Sequence, residues 1–368
     1  MSNDKILLPQ NMLFDKPFTN YNFQLQRLKS RGMIIPSSTE NETINRIRSH
    51  GYYQVINGYG DQFEVNSILD NEKRYAPDST FNNVYNLFSL DRQLGKLIFP
   101  FILDIEEHFT NEIAYTVAKH FDVNNYYKDD ADNRFPEVKS YLDVSRYPNA
   151  KTSVLKELHE LSTTTKKYPT VWYRKNKNHI PPWILFMNAD LGTMNQLFKI
   201  LPSNLKNEIN AELLPNNFNN KNLAIYLKNI SVEERNRAII EKTNSLMFFG
   251  MELMRTFRNS IAHNSRTLGF HSKFKLPTIL KNATKTWNLY TAEEYSTLNI
   301  GKNDIYALII WIVLLQNSKK EALHFLNQLR TFFKKEQNQN QMNKFMMSNN
   351  IPVDFYKRLT TFINNLGY

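Results

Sequence analysis

Arg258 and His263 are five positions apart, in the R-x4-H spacing that closes the stretch 252–263. A histidine side chain ordinarily titrates near neutral pH and can move protons, whereas the planar guanidinium group of arginine binds phosphate through paired hydrogen bonds. Together they could cleave RNA by internal transphosphorylation, in which a 2′-hydroxyl attacks the neighbouring phosphate and displaces the 5′-oxygen. Asn259 could orient the imidazole or a phosphate oxygen. The candidate catalytic residues are therefore Arg258, Asn259 and His263.

The spacing alone is weak evidence, because about one R-x4–6-H match is expected by chance in a chain of this composition. Three matches occur: Arg174/His179, Arg258/His263 and Arg266/His271. The first lies in a polar run before two prolines and indicates a loop, and the third contains Gly269 and leaves the helical pattern. Only the second lies on a strongly amphipathic segment.

Helical geometry places the polar residues of this segment on one arc. At about 100° per residue, with Arg258 at 0°, the other positions fall at about 60° (Arg255), 80° (Arg266), 100° (Asn259) and 140° (His263). The opposite arc is apolar and contains Leu253, Met254, Phe257 and Ile261. We therefore expect Arg255 and Arg266 to help bind phosphate. On spacing alone, a solvated helix face with an incidental histidine is equally consistent.

Other catalytic chemistries lack their residues. The sequence contains no cysteine, which excludes a disulfide framework, a cysteine-based zinc or iron–sulfur site and a thiol nucleophile. It also contains no H-E-x-x-H, G-x-S-x-G or glycine-rich phosphate loop. The sequence therefore predicts a site that uses no metal and no cofactor.

The charge balance indicates a polyanionic partner. The 368 residues include 46 Lys and Arg against 35 Asp and Glu, a net charge of +11, although codon bias in an AT-rich genome could supply part of the lysine. Two clusters combine basic side chains with aromatic side chains, a pattern that suits the recognition of single-stranded RNA. RNA contacts are predicted for Lys166, Lys167, Trp172, Tyr173, Arg174 and Lys175, and for Arg46 and Arg48 beside Tyr52 and Tyr53. The alternatives are a solvated loop whose Trp172 packs on the core, and tyrosines that pack between helices.

The elements that must position these residues are predicted to be helical. Apolar residues recur every three or four positions through 87–117, where Pro100 predicts a kink or a break, and through 244–264, 304–335 and 353–366. Residues 18–51 predict a helical hairpin, and Arg92 and Glu106 are expected to form an intramolecular ion-pair network. Strand signals are sparse, so the predicted fold class is all-α. Polar linkers are predicted at 129–134, 216–222 and 337–343.

Three regions are predicted: an N-terminal helical region at 1–80, a helical core at 81–275 that carries the R-x4-H motif, and a C-terminal helical extension at 276–368. The N-terminus lacks the basic and apolar pattern of a signal peptide, and the apolar run 305–315 is too short to cross a bilayer. We therefore expect a cytoplasmic protein with no membrane partner.

Several segments resemble one family of bacterial proteins. The motif Arg258-Asn-Ser-Ile-Ala-His263 resembles that of the HEPN ribonuclease superfamily. Ile180-Pro-Pro-Trp-Ile-Leu-Phe-Met-Asn188 followed by Gly192-Thr193 is similar to the central motif of the Abi family of AbiD/AbiF-type abortive-infection proteins. The segments 18–32, 50–59, 91–94 and 105–106 also resemble this family, so the likeness extends over about residues 17–270.

The resemblance implies a HEPN-type helical bundle and a metal-independent endoribonuclease that acts against phage. It further implies products with a 2′,3′-cyclic phosphate and a 5′-hydroxyl, a homodimer that joins two motifs into a composite site, and a bound small structured non-coding RNA. Two alternatives remain open: a non-catalytic RNA-binding module that holds a structured RNA or a partner protein, and an interaction-only phage sensor.

Overall fold

The computed structural model describes residues 18–65, 74–127, 131, 133–148, 153–215, 231–277, 289–334 and 339–368. Helices make up 69% of the structure, and the described strands are two pairs of residues, so the all-α prediction is confirmed. The helices are α1 (Tyr21–Ser30), α2 (Glu40–His50), α3 (Phe81–Phe121), α4 (Ser153–Thr164), α5 (Thr170–Asn176), α6 (Pro182–Leu185), α7 (Leu191–Ile200), α8 (Ser203–Leu213), α9 (Val232–Ala262), α10 (Ala292–Ser296), α11 (Ile305–Leu314), α12 (Lys319–Lys334), α13 (Gln339–Ser348) and α14 (Phe355–Asn365). Short 3-10 turns occupy Ser37–Thr39, Gly60–Phe63, Val144–Arg146 and Phe186–Asn188, and a π-helical turn occupies Tyr53–Asn57.

The chain divides into two compact units, one formed by 1–95 with 264–266 and the other by 96–263 with 267–368. In the first unit, α1 and α2 form the predicted hairpin, with Leu25, Leu28 and Ile47 buried. The side chain of Asn20 caps the start of α1 by accepting the Phe23 N–H. Strands β1 (Glu64–Val65) and β2 (Arg74–Tyr75) pair antiparallel.

The long helix α3 continues through Pro100, so of the predicted kink or break there is no break, and the kink stays a prediction. Proline lacks the N–H of a helical hydrogen bond and costs about 3 kcal/mol inside a helix. Apolar side chains on both sides of it, such as Ile98 and Ile102, are fully buried. Their burial outweighs this local cost, because helices in proteins are stabilised mainly by the packing of an apolar face.

In the second unit, α9 packs against α7, α8 and α11. Its first turn is fixed by Ser231 and Glu234, whose side chains each bond the other's backbone N–H in a capping box. In its middle, Gly250 lies against the indole of Trp311, so close that an added Cβ would come within 2.5 Å of the ring. All ten residues of α11 are buried, as predicted for this apolar run.

Two predictions for the C-terminal region are wrong. The single helix expected at 304–335 is divided into α11 and α12, because the Ser318 hydroxyl caps a new helix by accepting the Glu321 N–H. The polar linker expected at 337–343 is partly helical, since α13 begins at Gln339 and buries Met342 and Phe345. The linker expected at 216–222 lies outside the described residues, as does part of that at 129–134. The three-region division stays a prediction.

Candidate functional site

The helix α9 that carries the R-x4-H motif ends at Ala262, with His263 as its C-cap. The next residue, Asn264, has φ 53°, the left-handed conformation that asparagine tolerates better than most residues and that commonly ends a helix. The predicted helix was 244–264, so the observed helix starts earlier and stops two residues sooner. His263 is therefore at the tip of the helix rather than within its last turn.

The His263 side chain is exposed. Its backbone N–H donates to the Asn259 carbonyl at 3.0 Å, which fixes the backbone of the cap. Within the part of the chain that the structure describes, its imidazole has no hydrogen-bond or ion-pair partner. Both ring nitrogens are thus available to a substrate, as an acid or base requires.

Arg258 is held by an acidic residue from α3. Its Nε donates to Glu106 Oε2 at 3.2 Å, and the two side chains are 34% and 18% exposed. The expected ion pair of Glu106 is thereby confirmed. A second, long contact of 3.5 Å joins Arg258 Nη1 to the side-chain oxygen of Asn259. Nη2 has no partner among the described residues, so the outer edge of the guanidinium can still bind a ligand.

Arg255 has a different environment, one helical turn earlier. Its Nε and Nη2 both donate to Glu252 Oε2, at 3.2 and 2.8 Å, and Glu252 is only 2% exposed. The other oxygen of Glu252 accepts from Asn195 Nδ2 at 3.0 Å. A Cβ added to Gly192 would lie 3.4 Å from Arg255 Cδ, so this side chain is packed as well as paired. Its predicted role in RNA binding stays a prediction.

Arg266 does not lie on the helix, so its predicted position on the α9 arc is wrong. The helical rotation that placed it there ends at Ala262, and Arg266 belongs to the first unit. There, its Nη1 donates to the Gly58 carbonyl at 2.6 Å and to both Asp61 carboxylate oxygens at 2.9 Å. The guanidinium also lies over the Tyr59 ring, 5.5 Å from its centre. Phosphate binding by Arg266 is not tested.

Other polar groups accompany Arg266 in the first unit. The Tyr59 hydroxyl donates to buried Asp91 Oδ2 at 2.6 Å, and burial, followed by the Asp91 charge, raises the pKa of Tyr59 well above its ordinary value. Arg92, which was expected in an ion-pair network, donates to the Asn264 side-chain oxygen at 2.7 Å. These contacts hold the segment 264–266 within the first unit.

Only some side chains of the basic and aromatic cluster at 166–175 are exposed and available to a ligand. Arg174 and Lys175 lie in α5, not in the loop expected for them. Arg174 donates to the carbonyls of Ser162 and Thr165 at 2.8 and 2.7 Å, which satisfies the carboxyl end of α4. Exposed side chains in this cluster include Lys166, Lys167, Trp172 and Lys175, whereas Tyr173 is half-buried.

The second basic cluster lies on α2. Arg46 Nη1 donates to Asn82 at 2.7 Å, Nη2 pairs with Glu42 at 2.5 Å, and the guanidinium lies 4.2 Å from the Tyr85 ring centre. Arg48 is exposed and bonds Asn45 at 3.3 Å. Arg48 is therefore the freer of the two predicted RNA contacts, and binding by either is not tested.

Sequence reasoning missed the residues that fix the arginines. Glu252 was within reach of a sequence argument, because a carboxylate three residues before Arg255 lies on the same helical face. Asn195 and Asp61 gave no such signal, since they are far along the chain from their partners. The described residues include no set of three or more His, Asp or Glu placed to hold a metal ion, and none of the described helices is long and apolar enough to cross a membrane.

The structure is thus that of an all-α protein with an arginine and a histidine at one end of a long helix. Residues 45–268, more than half of the chain, match the family model described as Abi-like protein. The chain belongs to this family, and that membership suggests a role in abortive-infection defence. It has no significant match among curated proteins or among solved structures.

Proposed function

We propose that the chain is a metal-independent endoribonuclease of the HEPN type that acts in abortive infection against phage. The observation that carries the proposal is the end of α9, where, among the residues that the structure describes, Arg258 Nη2 has no partner and the exposed imidazole of His263 is unpaired. These are the two groups that internal transphosphorylation needs, and the resemblance of 258–263 to the HEPN motif supports the same assignment.

Arg258 is assigned to the phosphate. Glu106 holds Nε and Asn259 contacts Nη1, so the guanidinium is oriented before RNA binds and Nη2 is left to the ligand. As the 2′-oxygen attacks phosphorus, negative charge builds on the non-bridging oxygens, and a fixed guanidinium stabilises that charge. Glu106 is a positioning residue in this scheme because it acts through Arg258.

His263 is assigned to proton transfer. A neutral imidazole takes the proton from the 2′-hydroxyl, the 2′-oxygen bonds to phosphorus, and the bond from phosphorus to the 5′-oxygen breaks. A protonated imidazole gives the leaving 5′-oxygen its proton. The products are a 2′,3′-cyclic phosphate and a 5′-hydroxyl. Asn259, whose side chain faces Arg258, helps to orient the phosphate.

A homodimer supplies the second imidazole. Arg258 and His263 are separated by about 140° around the helix axis and by about 7 Å along it, so one helix end does not enclose a phosphate by itself. Two copies of the motif that face each other give one site with two arginines and two histidines. His263 and the partner's His263 then serve as base and acid.

Substrate RNA and a small structured non-coding RNA are the proposed partners. Lys166, Lys167 and Lys175 are exposed cations beside Trp172, which is 41% exposed, and Lys177 lies 5.4 Å from its ring centre. Exposed lysines neutralise phosphates, and an accessible indole stacks with a base. Arg48 offers a further exposed cation.

That same surface supports a second candidate, a non-catalytic RNA-binding module, because it needs neither Arg258 nor His263. Purified full-length protein incubated with single-stranded RNA in EDTA separates the two. Cleavage that is lost in His263→Ala, with RNA binding retained, is the expected result. RNA binding without cleavage by the unaltered protein, or equal cleavage by His263→Ala, would overturn the ribonuclease proposal.

A further inference from the structure

A cavity of about 500 Å³ lies within the second unit, between α3, the turn after α11 and α12. Its polar lining includes Asp104 and His108 from α3, and Glu321, His324 and Gln328 from α12. None of these residues belongs to the Arg258 and His263 site. A volume in this range suits a small organic ligand the size of a nucleotide.

The apolar part of the cavity is suited to a flat ring. Phe101 lines it, and its ring centre lies 4.6 Å from that of Phe325 and 6.3 Å from that of His324. Ile105 and Leu315 add aliphatic surface. An aromatic ligand that enters the cavity can therefore stack on Phe101 or on the imidazole and displace water from apolar walls.

The hydrogen-bonding part of the cavity includes two carboxylates, beside amide and imidazole side chains that include Asn317 and His108. Asp104 has no hydrogen bond or ion pair within the part of the chain that the structure describes. Glu321 Oε2 accepts one backbone N–H, from Asn317 at 3.1 Å, which leaves its other oxygen to a ligand. The Gln328 amide is engaged with His324 Nε2 at 2.7 Å. Since ionised carboxylates only accept, the ligand groups that bond Asp104 and Glu321 must be donors.

Two simpler ligands do not fit this lining. The carboxylates and imidazoles do not form a metal site, since the described residues provide no group of three or more placed to hold an ion. A phosphate inside the cavity would face Asp104 and Glu321, and like charges repel. A neutral ring that carries several N–H groups satisfies both the stacking surface and the acceptors.

We propose that this cavity binds a guanine base. The Watson–Crick edge of guanine places an N1–H and an amino group side by side, and the two oxygens of one carboxylate can accept both. Adenine and cytosine place a single amino group beside an acceptor nitrogen, and uracil offers one N–H. A carboxylate-lined cavity therefore favours guanine over the other three bases.

A neighbouring hollow suits the phosphate of the same nucleotide. It shares Glu321 and His324 with the cavity, but it lacks Asp104 and is lined by Lys319 and Lys320, whose two positive charges exceed the one negative charge of Glu321. Cations beside the mouth bind a phosphate while the base stays inside. The guanine can belong to a free nucleotide or to an unstacked residue of an RNA. This inference does not rest on the ribonuclease proposal.

Calorimetric titration of the full chain with GMP, AMP, CMP and UMP tests it. GMP is expected to bind at least tenfold more tightly than UMP. Asp104→Asn and Glu321→Gln should each weaken GMP about tenfold, because each removes a charged acceptor, and Phe101→Leu should do the same by removing the stacking surface. Glu107→Gln, an exposed position on α3 outside the cavity lining, is the control, and thermal melting checks that every variant is folded.

Competition with the RNA pentamer UUGUU in a His263→Ala background distinguishes a free guanine nucleotide from an RNA guanine as the natural ligand. Displacement of GMP by the pentamer but not by UUUUU identifies an RNA guanine, and no displacement by either identifies a free nucleotide. GMP binding that is equal in the Phe101 and Glu321 variants, absent at millimolar concentration, or matched by the other three nucleotides would overturn the proposal. So would binding of spermidine, but not GMP, with the same dependence on Glu321. Loss of cleavage in His263→Ala with GMP binding unchanged leaves this inference standing, so the two proposals fail separately.

Discussion

Two neighbouring segments at the end of helix α9 differ in how their polar side chains are paired. In the interior segment, 250–255, Arg255 makes two bonds to a buried glutamate that is itself bonded by Asn195. In the terminal segment, 258–263, Arg258 makes one bond to Glu106 and one long contact with Asn259, and His263 is unpaired among the described residues. Two arginines three residues apart thus have different carboxylate partners: the partner of Arg255 is buried at 2% exposure, and that of Arg258 is 18% exposed.

The contrast teaches that a shared helix and a shared residue type do not give a shared role. Groups that pair with a buried carboxylate contribute mainly to stability, whereas groups at an exposed helix end are suited to a ligand. Substitutions in the terminal segment should therefore lower activity and spare stability. Substitutions in the interior segment should do the reverse, and the following experiments test that division.

The largest expected effect is on cleavage by His263→Ala. Removal of the proton-transfer group should lower the cleavage rate about 10³-fold, within the range that a general acid or base contributes. The melting temperature should change little, because the side chain is exposed. His179→Ala, from the Arg174/His179 match, is the control and should cleave at the unaltered rate. Equal losses in both variants would refute the assignment.

Arg258→Ala should lower the cleavage rate about 10²-fold to 10³-fold, since it removes a donor that stabilises charge in the transition state. Arg258→Lys should recover only part of the rate, because an ammonium group cannot bond Glu106 and a phosphate in the same fork geometry. Single-turnover kinetics on a labelled RNA measure both. Full activity in Arg258→Ala would remove the distinction between the two segments.

Arg255→Ala should mainly affect stability. It leaves Glu252, which is 2% exposed, with Asn195 as its one remaining side-chain partner among the described residues, and the free energy of unfolding should fall by about 2 kcal/mol. Cleavage per folded molecule should stay within a few-fold. Urea unfolding measures the loss of stability, and active-site titration measures cleavage per folded molecule. A stable but inactive Arg255→Ala variant would place Arg255 with Arg258 instead.

The stability of the core near α11, which packs against α9, should depend on pH. Burial raises the pKa of Asp304, the N-cap of α11, to about 6, against N–H donors from Ala307, Gly301 and Asn350 and the nearby charge of His271. The folded state therefore holds this proton more tightly than the unfolded state, so the contribution of Asp304 to stability falls as pH rises from about 4 to 6.

Asp304→Asn should abolish that loss, because asparagine still caps the helix but does not ionise. The stability of the unaltered protein relative to Asp304→Asn should fall by on the order of 2 kcal/mol between pH 4 and pH 7. Urea unfolding at both pH values measures this. A constant difference between the two proteins would show that Asp304 titrates normally.

The smallest expected effect is on cleavage by Glu106→Gln. The amide keeps the shape of the side chain but weakens the bond that holds Arg258 Nε, so the cleavage rate should fall about tenfold. RNA affinity should change less than the rate, because positioning acts mainly in the transition state. Glu107→Gln, its exposed neighbour, is the matched control. A purely structural role would instead lower the melting temperature and leave the rate per folded molecule unchanged.

Much of the fold was predictable from local pattern. Three- and four-residue apolar spacing predicted the α1–α2 hairpin and the buried helix α11, and the motif helix was correctly found although its start was missed. An error arose where a cap outweighed local pattern, at Ser318, and burial kept α3 unbroken at Pro100. The position of Arg266 failed because the helical arc was extended past residue 262, where the left-handed Asn264 follows the cap.

The partners of the site were less predictable. Arg258 and its partner Glu106 are 152 positions apart in the sequence, and Asn195 and Glu252 are 57 positions apart. No local spacing in the sequence therefore predicts either pair. Residue type and helical phase indicated which side chains could do chemistry. Only tertiary structure could distinguish the arginine whose carboxylate partner is buried from the one whose partner lies nearer the surface.

The chemical identity of the RNA ends tests the central claim most directly. Single-stranded RNA incubated with the unaltered protein in EDTA should give a 2′,3′-cyclic phosphate and a 5′-hydroxyl, and His263→Ala should give neither. Products that carry a 3′-hydroxyl and a 5′-phosphate, or cleavage that requires added Mg²⁺, would contradict catalysis by Arg258 and His263.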